Sequence, residues 1–175
     1  MMKKEQVRAR SDREVPVQAH RVVSDPALHI VLHRPEIPYN TGNIARLCGA
    51  ARLRLHLIHP LGFRVDDRHL RRAGLDYWHE VDVRHHDSLE SFLKALGKSG
   101  RVIAFSAQAE RVYTEAVVAA GDSLLFGQES TGLPPEIRSA FPCFAVPIWG
   151  RVRSLNLSTT VGIVAYHYLH RMGRF

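Results

Sequence analysis

Six short apolar runs punctuate this chain: LHIVLH (28–33), RLHLIH (54–59), EVDVRH (80–85), RVIAFS (101–106), DSLLFG (122–127) and CFAVPI (143–148). Each has the length and the apolar content of a strand. Between them the spacing of apolar positions predicts helices over roughly 42–52, 67–74, 88–97, 112–120 and 134–140, with a longer one over 155–171. Ser88, and Asn40 or Thr41, are candidate N-caps, while Gly97 and Gly100 follow the third helix. Strands alternating with helices predict an α/β domain, a mostly parallel sheet with helices on both faces. Ligands of such sheets bind beyond the carboxyl ends of the strands, so the loops there carry the chemistry.

The 175 residues fit one domain with a sizeable core. Residues 1–27 read as a flexible tail, because six cations and four anions alternate there with few large apolar side chains. The expected domain is 28–175. No apolar run approaches the roughly 18 to 20 residues that a membrane span needs, and the first residues lack the apolar stretch of a secretory signal. A soluble cytoplasmic protein without a membrane partner is expected. The two cysteines, Cys48 and Cys143, lie far apart and form no CxxC, which argues against a disulfide scaffold or a zinc ribbon. Lys and Arg outnumber Asp and Glu by 24 to 17, and 20 of the cations are Arg. Planar, bidentate guanidinium suits phosphate, so a polyanionic partner and a merely solvated surface both fit this balance.

The common catalytic signatures are absent from the sequence. GxGxxG does not follow the first strand, and GxxxxGK[ST], GxSxG and HExxH do not occur. Three other segments stand out. Asn40-Thr41-Gly42-Asn43-Ile44-Ala45-Arg46 can cap a helix and present amides and a guanidinium to an anion. Phe126-Gly127-Gln128-Glu129-Ser130-Thr131-Gly132 runs from a buried strand into a loop whose glycines admit close approach. Its Glu129 can bond ribose hydroxyls or loop amides. Finally, Arg151-Val152-Arg153 leads into Ser154-Leu155-Asn156-Leu157-Ser158, which opens a helix uncharged over its first two turns. A surface helix shows charge there, so this one is expected to be enclosed by loops or a second subunit.

In this order the three segments resemble the motifs of the SPOUT class of RNA methyltransferases. The similarity is closest to the small tRNA 2′-O-methyltransferases of the wobble cytidine or uridine, the TrmL or YibK-like branch. IVLHRPEIPYNTGNIARLCGA, FRVDDRHLRRAGLDYW and RSLNLST all look like that branch, and the resemblance covers about residues 28–172. It implies an α/β SPOUT fold whose C-terminal segment threads a trefoil knot, a homodimer, and S-adenosylmethionine as methyl donor. S-adenosylhomocysteine would be the product and the tRNA anticodon stem-loop the substrate. Carried over by position, Phe105, Gly127, Glu129, Val146, Ser154, Leu155 and Asn156 match cofactor-binding positions. Arg46 matches the arginine assigned to catalysis, Asn40 and Asn43 shape its loop on the RNA side, and Tyr166 matches an aromatic suited to dimer packing. Thr131 and the Trp149-Gly150-Arg151-Val152 loop depart from the branch's pattern.

A guanidinium is protonated in water, so general-base action by Arg46 is awkward; anchoring phosphate and stabilising a developing oxyanion is the preferred role. On a helix, Arg64, Arg68, Arg71 and Arg72 would share a face at i, i+3 and i+4 spacings. The spacing alone fits a solvated face paired locally with Asp66 and Asp67, while the resemblance implies RNA contact, together with Arg151 and Arg153. His56 and His59 are expected on opposite sides of a strand, and His85-His86-Asp87 in a wet turn, so no metal site is expected. Other RNA 2′-O-methylation sites, in tRNA or rRNA, remain open at this level. So do a non-catalytic knotted RNA-binding homodimer and an unknotted flavodoxin-like nucleotide binder.

Overall fold

The computed structural model describes residues 22–64, 78–97 and 100–175. The expected helix over 67–74, and with it Arg68, Arg71 and Arg72, lies outside the described residues, as does most of the predicted tail. The six strands are β1 (His29–His33), β2 (Arg54–Ile58), β3 (Asp82–His86), β4 (Val102–Phe105), β5 (Ser123–Phe126) and β6 (Cys143–Phe144). They form one sheet in the order β3-β2-β1-β5-β4-β6, and every pairing is parallel. The helices are α1 (Pro38–Ala51), α2 (Leu89–Leu96), α3 (Pro135–Ala140) and α4 (Leu157–Arg171).

Alternation along the strands explains how both faces are covered. Ile30 and Leu32 of β1 join a cluster with Ile44, Cys48, Val161 and Val164 from α1 and α4, whereas Val31 joins Phe92 of α2 and Ile137 of α3 on the opposite face. A strand buried on both sides is apolar at consecutive positions, which is how IVL in β1 and SLLF in β5 read. Tyr168 of α4 is 1% exposed, and its hydroxyl donates to the carbonyls of Tyr113 and Ala116. Burial of the Cys48 thiol within α1 pushes its pKa up, consistent with a packing role.

Three expectations need correction. Helix α1 begins at Pro38 with Ile37 as N-cap, so Asn40 and Thr41 lie in its first turn rather than before it. Proline is favoured at that first position because its missing N–H would have no intrahelical partner. The expected helix over 112–120 is only a 3-10 turn at Tyr113–Glu115. The Tyr113 amide is committed to the Ala145 carbonyl (2.8 Å), the Ala119 amide to Asp122 Oδ2 (2.7 Å), and Val117-Val118 is a poor helix former. The same pairing ends β6 early. Beyond Phe144, Ala145 bonds Arg111 and Tyr113 instead of β4, so 145–148 leave the sheet. Ser88 caps α2 as expected, with Ser91 completing a reciprocal capping box.

Residues at the amino-terminal border of the domain are held. The Val23 amide donates to Asp82 Oδ2 (3.0 Å), and Arg54 bridges that carboxylate (2.8 Å) and the Val23 carbonyl (2.6 Å). Burial alone would raise the Asp82 pKa, but these donors hold it below the usual carboxylate range.

Candidate functional site

At the carboxyl ends of β4 and β5 the chain encloses a cavity of about 370 Å³. Its walls come from three separated loops: Phe105–Gln108, Phe126–Gly132 and Arg153–Leu157, with Val146, Ile148, Ile37 and Asn40 closing it. Phe105 stacks on Phe126 at 5.2 Å between ring centroids, and both rings are buried, giving the cavity an apolar floor. All the residues expected to hold the cofactor (Phe105, Gly127, Glu129, Val146, Ser154, Leu155 and Asn156) line this one cavity.

Gly127 is required by the loop itself. A Cβ there would come within 2.2 Å of the Gly132 carbonyl carbon and 2.3 Å of the Leu133 nitrogen. The loop folds back at this point, where the Gly132 amide donates to the Gln128 carbonyl (2.9 Å) and Gly132 takes left-handed backbone, φ 73°.

Glu129 does not reach into the cavity as a free carboxylate. It accepts from the backbone amides of Glu36 (2.7 Å) and Ile37 (3.2 Å) and from Asn40 Nδ2 (3.0 Å). A carboxylate at the start of α1 meets otherwise unsatisfied amides and the positive end of the helix dipole. Of the two roles the sequence allowed, the loop-amide role is the one seen. Glu36 answers in the opposite direction, accepting from the Ser130 amide and hydroxyl, both at 2.9 Å.

Asn40, expected to shape the loop on the RNA side, lines the cavity. It is 5% exposed, and its Oδ1 accepts from Asn156 Nδ2 at 2.8 Å while its own amide donates to Glu129. Asn156 also N-caps α4, accepting from the Ser158 and Thr159 amides at 2.9 and 3.3 Å. Glu129, Asn40 and Asn156 thus tie all three sequence segments into one frame.

Asn43 and Arg46 point the other way, on the exposed side of α1 that also carries Tyr39. Arg46 lies six residues beyond Asn40, about 9 Å of helix rise, and does not line this chain's own cavity. Arg64 is exposed and away from the cavity, Arg151 is exposed on the loop before α4, and Arg153 lines the cavity rim. Ser106, Gln108, Ile148 and Thr160 also line it, although none of them was among the expected site residues. Nor did the sequence show the Glu36–Ser130 clasp, because nothing local marks a contact 94 residues apart.

The histidines are more connected than the sequence suggested. His85 and His86 are the last residues of β3, not a wet turn. His56 Nε2 shares a hydrogen bond with His29 Nδ1 (2.9 Å), and His56 Nδ1 shares one with His86 Nε2 (2.8 Å). His59, on the other side of the strand path, bonds His85 at 2.9 Å. Burial pushes the His56 pKa down to about 2, helped by its histidine neighbours, and burial with nearby Arg54 brings His29 down to about 4. Among the described residues no three His, Cys, Asp or Glu side chains converge on a metal position, and no described helix is long and apolar enough to cross a membrane.

Residues 27–166 match the sequence pattern of the SpoU rRNA Methylase family. The chain belongs to this SpoU family. Similar SpoU proteins include the tRNA (cytidine(34)-2'-O)-methyltransferase of Aeromonas hydrophila, 44% identical over 149 residues, covering 83% of this chain and 95% of its own. The protein of the same name from Yersinia pestis is 42% identical over 153 residues, covering 83% and 94%. A solved structure described as "Structural insights into the 2-OH methylation of C/U34 on tRNA" gives a TM-score of 0.79 at 52% identity, covering 83% of this chain and 97% of the other. The SpoU methyltransferase AviRb of Streptomyces viridochromogenes, solved in complex with the cofactor AdoMet, gives 0.73 at 18% identity over 85% and 58% of the two chains, a likeness of fold.

Proposed function

We propose that this SpoU protein transfers a methyl group from S-adenosylmethionine to the ribose 2′-hydroxyl of the wobble cytidine or uridine of tRNA. The observation that carries the reading is the frame just described. Glu129, Asn40 and Asn156 bind three distant segments around one cavity at the carboxyl edge of the sheet. Proteins named for this reaction align over more than four-fifths of the chain.

The cavity residues fit the donor. Phe105, Val146 and Leu155 offer apolar surface for an adenine, while the Ser154 hydroxyl and the loop backbone offer polar partners for the ribose and methionine ends. The sulfonium, when bound, supplies an already activated methyl. The chain's own task is then to align the ribose hydroxyl with the cavity and to favour loss of its proton.

We assign Arg46 to that second task, as an anchor for the flanking phosphate and a stabiliser of the developing oxyanion. Its place on the exposed side of α1 leads to a homodimer in which two copies meet through α1 and α4. Tyr39 (61% exposed) and Tyr166 (46%) are the large side chains that such a junction would cover. The trefoil knot expected for α4 and a cytoplasmic location belong to the same reading.

The test uses labelled S-adenosylmethionine, the purified protein and tRNA lacking wobble 2′-O-methylation, followed by nucleoside digestion. Label on the wobble ribose, lost in Arg46→Ala, is the expected result. Label absent from tRNA despite measured S-adenosylhomocysteine binding sinks the substrate assignment.

A further inference from the structure

Between Ile148 and Arg153, both at the cavity, the chain throws out a short loop, Trp149-Gly150-Arg151-Val152. Trp149 is 93% exposed and Val152 63%. Arg151 and Arg153 are exposed as well. Among the described residues Trp149 makes no ring contact, and neither arginine makes a hydrogen bond or an ion pair. A side chain this large and this bare has not been placed for the core. An indole held in water forfeits the burial that other aromatic rings of this chain gain, such as Phe105 and Phe126.

The chemistry around it points to one class of ligand. A flat aromatic face suits stacking against an unpaired base, and flanking guanidiniums suit the phosphates on either side of that base. Arg153 lines the cavity, and Trp149 directly follows Ile148, which lines it too. A second polypeptide would match the indole but would need carboxylates opposite Arg151 and Arg153, whereas single-stranded RNA satisfies the ring and the charges together.

We infer that Trp149 is a stacking platform for an unpaired base next to the methylated nucleotide, with Arg151 and Arg153 gripping the adjoining phosphates. The inference rests on the RNA-methylation reading above. Trp149 acts by positioning: it fixes the loop nucleotides so that the target ribose faces the cavity.

The experiment compares wild type, Trp149→Ala and Trp149→Phe on anticodon stem-loop RNAs carrying 2-aminopurine on either side of the target nucleotide. Stacking on wild type is expected to quench one of the two probes, and Trp149→Phe is expected to retain the quench. Trp149→Ala is expected to lose it and to raise KM for RNA about tenfold, the scale of one lost base stack. S-adenosylhomocysteine affinity by calorimetry should be the same in all three, which separates an RNA effect from a disturbed fold. Undiminished RNA affinity in Trp149→Ala, with wild type methylating normally, overturns the inference alone. A wild type that neither binds nor methylates tRNA takes down the underlying reading and the inference with it. Dissociation of a dimer in Trp149→Ala, seen by light scattering without loss of the quench, assigns the indole to a contact between copies and also overturns it.

Discussion

Asn156 Nδ2 donates to Asn40 Oδ1 at 2.8 Å, joining the first turn of α1 to the N-cap of α4 across 116 residues of sequence. Neither amide is spare: Asn40 passes its own N–H to Glu129, and Asn156 Oδ1 receives two helix amides. Each member therefore holds the next in a fixed orientation, and the cavity between them inherits its shape from the chain of bonds.

Glu129→Gln tests that frame. Both carboxylate oxygens face donors, with Oε2 taking the Glu36 amide and Oε1 taking Ile37 and Asn40. A glutamine can satisfy one side only and must turn an NH2 group toward N–H on the other. The expected cost is about 1–3 kcal/mol for an unsatisfied polar group. That corresponds to a fall in Tm of several degrees by calorimetry, with weaker binding of S-adenosylhomocysteine. Unchanged Tm and affinity in the glutamine variant would show that the carboxylate is not clamped.

Arg46 should behave differently, because it lies outside the frame. Arg46→Ala is expected to leave the Tm and S-adenosylhomocysteine affinity near wild type. Single-turnover methyl transfer at saturating tRNA should fall by about 10²–10³, the loss typical for removal of an oxyanion-stabilising donor. Arg46→Lys should recover part of the rate, since charge is kept while the bidentate fork is lost. Near-normal transfer by the alanine variant removes both the anchoring and the stabilising role.

Much of this architecture was legible because it is local. Runs such as IVL and SLLF declare strands buried on both faces, and Ser88 declares the start of α2. The three candidate segments were likewise visible, and the structure gathers all three at one cavity. What failed depends on partners far away in sequence. The segment over 112–120 loses its helix because its amides are spent on Ala145 and Asp122. Asn40 reads as a surface cap until Glu129 and Asn156 are seen to bury it. The three-histidine ladder requires the register of β1, β2 and β3, which no single-strand pattern contains.

Salt dependence tests the RNA face. Replacing Arg64, Arg68, Arg71 and Arg72 together by alanine should flatten the plot of log affinity for tRNA against log salt. The expected reduction in slope is up to about 3.6, at 0.7–0.9 per phosphate contact released. Equal slopes for variant and wild type would take the cluster off the RNA surface.

The histidine ladder sets how the fold responds to acid. Three neutral rings carry three N–H groups and three lone pairs, and the two ladder bonds use one of each per contact. One extra proton fits, but a second must set N–H against N–H somewhere between His29, His56 and His86. Burial depresses these pKa values, to about 4 for His29 and about 2 for His56, while in the unfolded chain they titrate near 6.5. Below pH 6.5 the unfolded state then binds more protons, so stability, full above that value, declines as the pH falls toward 4. His56 alone should remove about 2 kcal/mol by pH 5. Asp82, held low by its donors, adds a separate loss only below the ordinary carboxylate range. Urea midpoints between pH 7.5 and 4.5 should therefore fall steeply through the histidine window, and His56→Gln should flatten that fall even if it lowers stability at neutral pH. A wild-type profile level from 7.5 to 5 would mean that the ladder histidines take up protons in the folded state over the same range as in the unfolded chain, so that burial does not depress them.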